Sequence, residues 1–348
     1  MDLLVEAMER GMVPDSWVLA GIRRLVARKL ADESRGGPAA MQERYTQRLA
    51  AMRAAPVALH TGAANEQHYE VPAAYFERVL GPQLKYSCAL WDEARDLTEA
   101  EEAMLACTAA RAALADGQHV LELGCGWGSL TLWMARHYPN SRISAVSNSH
   151  SQREFIEQRA AARGLTNLQV ITADMNAFMP PEPGRYDRVV SVEMFEHMRN
   201  WEALLARIRD WLAPGGALFV HVFCLREVPY FFEVDGRSDW LARHFFTGGL
   251  MPAEDMLERC APDWRLAGRW RVDGTHYART SRAWLARHDA AGPGIEALFA
   301  PLYGARGAAR AARRWRIFHM ACAEMFDHAA GSQWFVSHAR LEPMERHA

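Results

Sequence analysis

The stretch Glu193-Met194-Phe195-Glu196-His197 sets two carboxylates and an imidazole close together. If it opens a helix after a strand, spacings of three and four residues put all three side chains on one face. Such carboxylates can gather a cation. An imidazole with a reference pKa of about 6.5 can take a proton near neutral pH, directly or through a water. The plainer alternatives are a solvated or helix-capping Glu193 and structural roles for Glu196 and His197. Toward the C-terminus, Trp315, Phe318, Phe326 and Trp334 are assigned to a helical segment. Aromatic faces attract cations and stack on flat rings. Trp315 and Phe318 are spaced to share a helix face, with core packing as the open alternative. His221-Val222-Phe223-Cys224 lacks a second thiol pair, so no metal is expected, and Cys125 has no neighbouring base to make it a nucleophile.

A second motif, Val120-Leu121-Glu122-Leu123-Gly124-Cys125-Gly126-Trp127-Gly128, reads as a strand entering a glycine turn before a helix. Glycine there permits open dihedrals and lets a ligand approach the backbone. Dinucleotide folds use a wider spacing, with the third glycine packing the helix. The tighter spacing here resembles motif I of class I S-adenosylmethionine methyltransferases, a resemblance that implies Glu122 facing the amino-acid end of the cofactor. Further on, Asp174 can accept from an adenine amino group while Met175 covers the ring. Asn148 stands where a ribose-binding acid is common, within the unusual run Ser147 to Gln152.

These residues need a frame. Short β-rich runs are expected at His119–Leu123, Arg142–Val146, Leu168–Thr172, Asp187–Val192, Ala217–Val222 and Arg265–Val272. Helices are expected near Ser129–His137, Ser151–Arg163 and Trp201–Leu212. The alternation predicts an α/β fold with a mostly parallel, Rossmann-like sheet covered on both faces. Residues 1–64 read as a helical extension, 65–222 as the cofactor-binding core with a binding loop at its start, 223–262 as a lid, and 263–348 as the end of the sheet with a helical pocket segment.

Several further motifs, in order, are similar to the cyclopropane-fatty-acid-synthase superfamily: Lys85-Tyr86-Ser87-Cys88, the Ser149 and Gln152 pair, Glu193 to His197, and His276-Tyr277-Ala278-Arg279-Thr280. Within it, Asn65-Glu66-Gln67-His68-Tyr69-Glu70, Phe219-Val220-His221, Phe245 to Gly249 and Trp315 to Phe318 resemble the coclaurine N-methyltransferase branch. The resemblance implies a seven-stranded class I sheet and S-adenosylmethionine as cofactor, bordered by Tyr86, Ser87, Gly124, Gly126, Ser149, Gln152, Asp174, Met175 and Val192. It implies that Glu193, Glu196 and His197 border a substrate amine. The lipid-modifying branch holds bicarbonate with residues matching Cys88, Glu196, His221 and Tyr277, all present here. That branch generally has glycine where this chain has Glu193. A carboxylate beside an acyl chain would cost several kcal/mol without a cationic partner, which an amine supplies.

The chain's 348 residues can bury a large core with substantial additions. Its 40 Lys and Arg against 42 Asp and Glu leave no field for a nucleic-acid backbone. No apolar run approaches the ~20 residues of a membrane span, and the start lacks a basic secretory signal, so a cytoplasmic location is expected. Six scattered cysteines without a Cys-x-x-Cys pair fit reduced thiols. The first helices offer a possible homodimer surface. The expectation is methyl transfer to the nitrogen of a small aromatic or benzylisoquinoline-like amine, with Glu193 and Glu196 binding it and His197 assisting deprotonation. The alternative is cyclopropane synthesis or lipid methylation on unsaturated acyl chains, with bicarbonate as base.

Overall fold

The computed structural model describes residues 2–59, 71–233 and 240–345, so the motif from Asn65 to Glu70 lies outside the described residues. The frame is a seven-stranded sheet in the order β3-β2-β1-β4-β5-β9-β8. Strands β1 (His119–Leu123), β2 (Arg142–Ser147), β3 (Leu168–Thr172), β4 (Tyr186–Val192) and β5 (Leu212–Leu225) are parallel. Every residue of β1 is buried, the polar His119 and Glu122 included, as expected of a central parallel strand covered on both faces. From β1 the chain winds outward through β2 to β3, then returns to add β4 and β5 on the other side. The order therefore reverses between β1 and β4, and in open α/β sheets the crevice at the carboxyl ends of such a pair receives ligands.

Helices α1 (Asp2–Glu9), α2 (Asp15–Ser34) and α3 (Gly37–Arg53) precede α4 (Ala73–Val79) and α5 (Leu97–Arg111). Helices α6 (Ser129–His137), α7 (His150–Ala162) and α8 (Trp201–Trp211) are the crossovers. The first helices are tied to the far end of the chain. Asp15 is bound by Arg313 and Arg316, Arg23 meets Glu324, and Glu9 accepts from Arg314 and from the Trp240 indole. Tyr45 donates to Asp255 at 2.8 Å.

After β5 comes a small ribbon, β6 (Tyr230–Phe231) with β7 (Leu250–Met251), flanked by the short helices α9 (Trp240–His244) and α10 (Met256–Arg259). Phe223 to Leu225, expected to begin this lid, instead complete β5. Then follow β8 (Trp264–Val272), α11 (Gly274–Ala291), α12 (Pro293–Asp327) and β9 (Trp334–Pro343). α12 breaks at Gly304, whose φ of 67° lies outside the helical region.

Strand β9 corrects the assignment of Trp334 to a helix. Past the turn at Gly331, Trp334-Phe335-Val336 is an aromatic and β-branched run that packs well on a pleated surface. It enters antiparallel between β5 and β8, and this sets His338 directly across from His221. Gly274 admits no side chain, because a Cβ there would collide with the backbone of Trp334 and Phe326. That close approach seats α11, and with it Tyr277, against the end of the sheet.

Candidate active site

A cavity of about 180 Å³ opens at the β1/β4 reversal. One part is walled by Glu122, Gly124, Gly126, Gln152, Met175 and Val192, with Tyr86 and Ser87 from the loop after α4. Elsewhere it is lined by Glu193, His197, Tyr277, Phe318 and Phe326. The remaining expected residues, Ser149, Asp174, Glu196, Cys88, His221 and Trp315, are not part of its lining.

The glycine turn follows from local sterics. Gly124, Gly126 and Gly128 have φ of 81°, 52° and 81°, values that side chains disfavour. At Gly124 a Cβ would meet the Met194 side chain, whereas at Gly126 it would enter open space. Glu122 is buried at the end of β1 and accepts from the Thr131 hydroxyl at 2.5 Å; burial pushes its carboxyl up to about 7. Ser149 caps α7 by accepting from the Gln152 N–H, and Ser147 donates to the Gln152 amide oxygen at 2.6 Å. Ser147 therefore aims the Gln152 side chain, and Ser149 fixes the start of its helix. Asp174 is exposed and accepts from the Asn176 N–H at 2.7 Å.

Glu193 departs from the expected shared helix face. It has φ 50°, a left-handed conformation that costs a non-glycine residue about 1–2 kcal/mol. The helix after it is only the 3₁₀ turn Phe195–His197; Glu193 and His197 both line the cavity, whereas Glu196 does not. The Glu193 carboxylate turns back to accept from the Cys88 N–H at 3.0 Å, the His221 Nε2 at 3.1 Å and the Tyr277 hydroxyl at 2.6 Å. These are three of the four residues that the resemblance assigns to bicarbonate. Here a carboxylate of the chain itself fills their slot. Burial raises the Glu193 pKa, while the Lys85 charge, Tyr277 and Cys88 oppose that rise.

Glu196, the fourth, is 1% exposed and accepts from the Phe223 N–H at 2.8 Å; its Oε2 has no hydrogen-bond partner among the described residues. Burial, reinforced by the Glu193 charge, pushes its pKa well up. His197 lines the cavity and stacks on Phe246. Phe318 and Phe326 reach the cavity. Trp315 sits behind them, packed on Tyr75 and Phe245 at 4.9 and 5.1 Å between ring centres.

Two groups were given no site role from the sequence, although Lys85 stands in the motif Lys85-Tyr86-Ser87-Cys88. Lys85, buried between Leu84 and Tyr86, lines the cavity and donates to the Ser87 hydroxyl, and burial lowers its pKa. Its signal was a lysine inside an apolar, aromatic cluster. His338 left no local signal, since its partner is reached only through strand pairing. The loop carrying Lys85 to Cys88 is pinned from both sides. Glu101 accepts from the N–H groups of Gly81 and Gln83, and Thr280 accepts from the Ala89 N–H and the Trp91 indole.

The glycine cradle suits S-adenosylmethionine, and the Trp127 Nε1 and Ser129 Oγ beside it are buried polar atoms with no partner among the described residues. Residues 60–333 match the family model of mycolic acid cyclopropane synthetase. The chain is 36% identical to the (S)-coclaurine N-methyltransferase of Thalictrum flavum subsp. glaucum, over 96% of this chain and 94% of that protein. It superimposes on the crystal structure of a coclaurine N-methyltransferase bound to N-methylheliamine and SAH with a TM-score of 0.93 at 33% identity, covering 97% of this chain and 98% of that one. The cyclopropane synthase MmaA2 of Mycobacterium tuberculosis shares the fold, with a TM-score of 0.68 at 23% identity over 82% of this chain and 98% of that one. The chain thus belongs to the mycolic acid cyclopropane synthetase family and is an S-adenosylmethionine-dependent methyltransferase with the class I fold.

Proposed function

We propose that this enzyme methylates the nitrogen of a small aromatic amine of benzylisoquinoline-like chemistry. One observation carries the proposal: Glu193 places its own carboxylate where the lipid-modifying branch would hold a free anion, so the negative charge is built into the cavity wall. The relative crystallised with N-methylheliamine supports the same class of substrate.

S-adenosylmethionine, when bound, supplies an electrophilic methyl group. Glu122, Gly124, Gly126, Gln152, Met175, Val192, Tyr86 and Ser87 would hold it, with Ser149 capping the helix that carries Gln152. The chain's remaining task is to present an unprotonated nitrogen about 3–3.5 Å from that methyl, in line with the breaking bond. An amine arrives largely as its ammonium at pH 7. Glu193 attracts it, and Glu196, whose Oε2 has no hydrogen-bond partner among the described residues, lends a second negative charge from behind the lining once the nearby cation lowers its pKa and its proton passes to water. His197, at the cavity wall, takes the amine proton directly or through a water. Phe318 and Phe326 supply faces for the flat ring and the charge.

The test is a panel of secondary and tertiary aromatic amines, set beside unsaturated acyl phospholipids, with products identified by mass spectrometry. N-methylated amine without acyl modification supports the proposal. Methylene addition to acyl chains, with every amine inert, replaces it by the lipid reading.

A further inference from the structure

Behind Glu193 runs a buried chain of hydrogen bonds with only one consistent direction. A guanidinium donates and has no acceptor. Arg111, the last residue of α5, therefore donates to the His338 Nδ1 at 2.8 Å. A neutral imidazole has one donor and one acceptor, so the His338 proton resides on Nε2 and points at the His221 Nδ1, 2.8 Å away. The same step repeats at His221, whose Nε2–H then points at Glu193 at 3.1 Å. An imidazolium at either position would set N–H against N–H. Both rings are fully buried, which together with the Lys85 and Arg111 charges lowers their pKa values and keeps them neutral.

Were His221 to take the other tautomer, its lone pair would face the Glu193 oxygen, and only protonation of Glu193 would relieve the contact. We infer that Arg111 and His338, which do not line the cavity, are positioning residues for methyl transfer: they lock His221 as the Nε2–H tautomer and hold Glu193 as an all-accepting carboxylate. The inference rests on the amine reading of Glu193. The other groups facing Glu193 are Lys85 and Cys88 from the loop after α4, Glu196 and His197 from the turn, Tyr277 from α11 and Cys322 from α12. All of them are retained when Arg111 or His338 is changed.

The test compares Arg111→Met, His338→Phe and His338→Gln with the parent enzyme. The glutamine amide can accept from Arg111 and donate to His221, preserving the direction of the chain. The readouts are kcat and KM for the amine against pH, cofactor affinity by calorimetry, melting temperature, and the His221 tautomer by nitrogen-15 NMR. In Arg111→Met and His338→Phe the acid limb of kcat/KM should move to higher pH. The amine KM near neutrality should rise about tenfold, the factor that one pKa unit carries, with cofactor affinity unchanged. His338→Gln should restore both. Unshifted limbs in Arg111→Met would overturn the inference, and so would a loss that His338→Gln fails to rescue. Should His338→Phe fail to fold, Arg111→Met at the half-buried end of the chain decides alone. If no amine is methylated, the NMR separates the two failures. An Nε2–H His221 that is lost in Arg111→Met upholds the lock and removes only the amine reading, whereas an Nδ1–H His221 in the parent removes the lock itself.

Discussion

Replacing Glu193 with glycine removes the charge on which the proposed chemistry depends, at a position where the backbone tolerates the change. At φ 50° glycine is relieved of the left-handed penalty of about 1–2 kcal/mol, which offsets its greater unfolded-state entropy of roughly 0.5–1 kcal/mol. The Cys88 N–H, His221 Nε2 and Tyr277 hydroxyl lose their acceptor, but the vacated slot is polar and water can fill it. The fold should therefore survive with little change in melting temperature. Activity should not. A hydrogen bond to a charged group contributes about 1.5–3 kcal/mol, and the Glu193 side chain is only 8% exposed, which favours the upper end. The kcat/KM for the amine should thus fall about 150-fold, with the cofactor dissociation constant unchanged. Because the three donors remain, formate or bicarbonate should restore part of the rate in a saturable way. Steady-state assays over a range of formate concentration, with calorimetry for the cofactor, read each part. Amine turnover within about threefold of the parent, or an equal loss of cofactor affinity, would show that Glu193 does not serve the amine.

Glu196→Gln keeps an acceptor for the Phe223 N–H but cannot ionise, so kcat/KM for the amine should drop about tenfold at preserved cofactor affinity; an unchanged value would leave Glu196 a purely structural acid. His197→Ala should lower kcat by about 10²-fold and remove one limb of its pH dependence, and a profile identical in shape to the parent's would remove the proton-transfer role. Burial pushes the Glu122 carboxyl up to about 7, and if Glu122 faces the cofactor's amino group, as proposed, it attracts that group only when ionised. Cofactor affinity should therefore weaken as pH falls through that value, with proton release on binding near pH 7 and a flat profile in Glu122→Gln; pH-independent binding in the parent would refute it.

What was legible in the chain was what neighbouring residues decide. The run from Val120 to Gly128 dictates strand, turn and helix through burial and glycine dihedrals, and β1 and α6 lie where that pattern puts them. The glycine turn, Gln152, Met175, Phe318 and Phe326 were each named from local motifs and all line one cavity, whereas Trp315, paired with Phe318 by spacing, packs behind it. Less legible was anything set by distant partners. Trp334 to Leu341 could not announce its place between β5 and β8, so neither the antiparallel insertion nor the facing of His221 by His338 could be foreseen. The departure of Glu193 from a shared helix face has a similar origin. A left-handed residue is stabilised there by donors contributed from a loop, a strand and a helix that are remote in sequence.

Glu193 is held in a conformation that suits glycine better than glutamate, within a slot whose donors would serve a free anion equally well. Both features follow if a tethered carboxylate stands in for a diffusing one. Tethering makes the charge permanent and independent of bicarbonate concentration, and it brings a carboxylate whose burial is unfavourable until a cation arrives. An alkene offers no such cation, and the carboxylate would occupy space beside it at a cost in desolvation. A protonated amine supplies the missing charge on binding. With His221 as the Nε2–H tautomer, all three hydrogen-bond partners of Glu193 donate to it and so oppose the rise in its pKa that burial causes. On this argument, the backbone strain at a single position and the direction of the Arg111–His338–His221 chain serve the same end: a fixed negative charge at the wall of a methyl-transfer cavity.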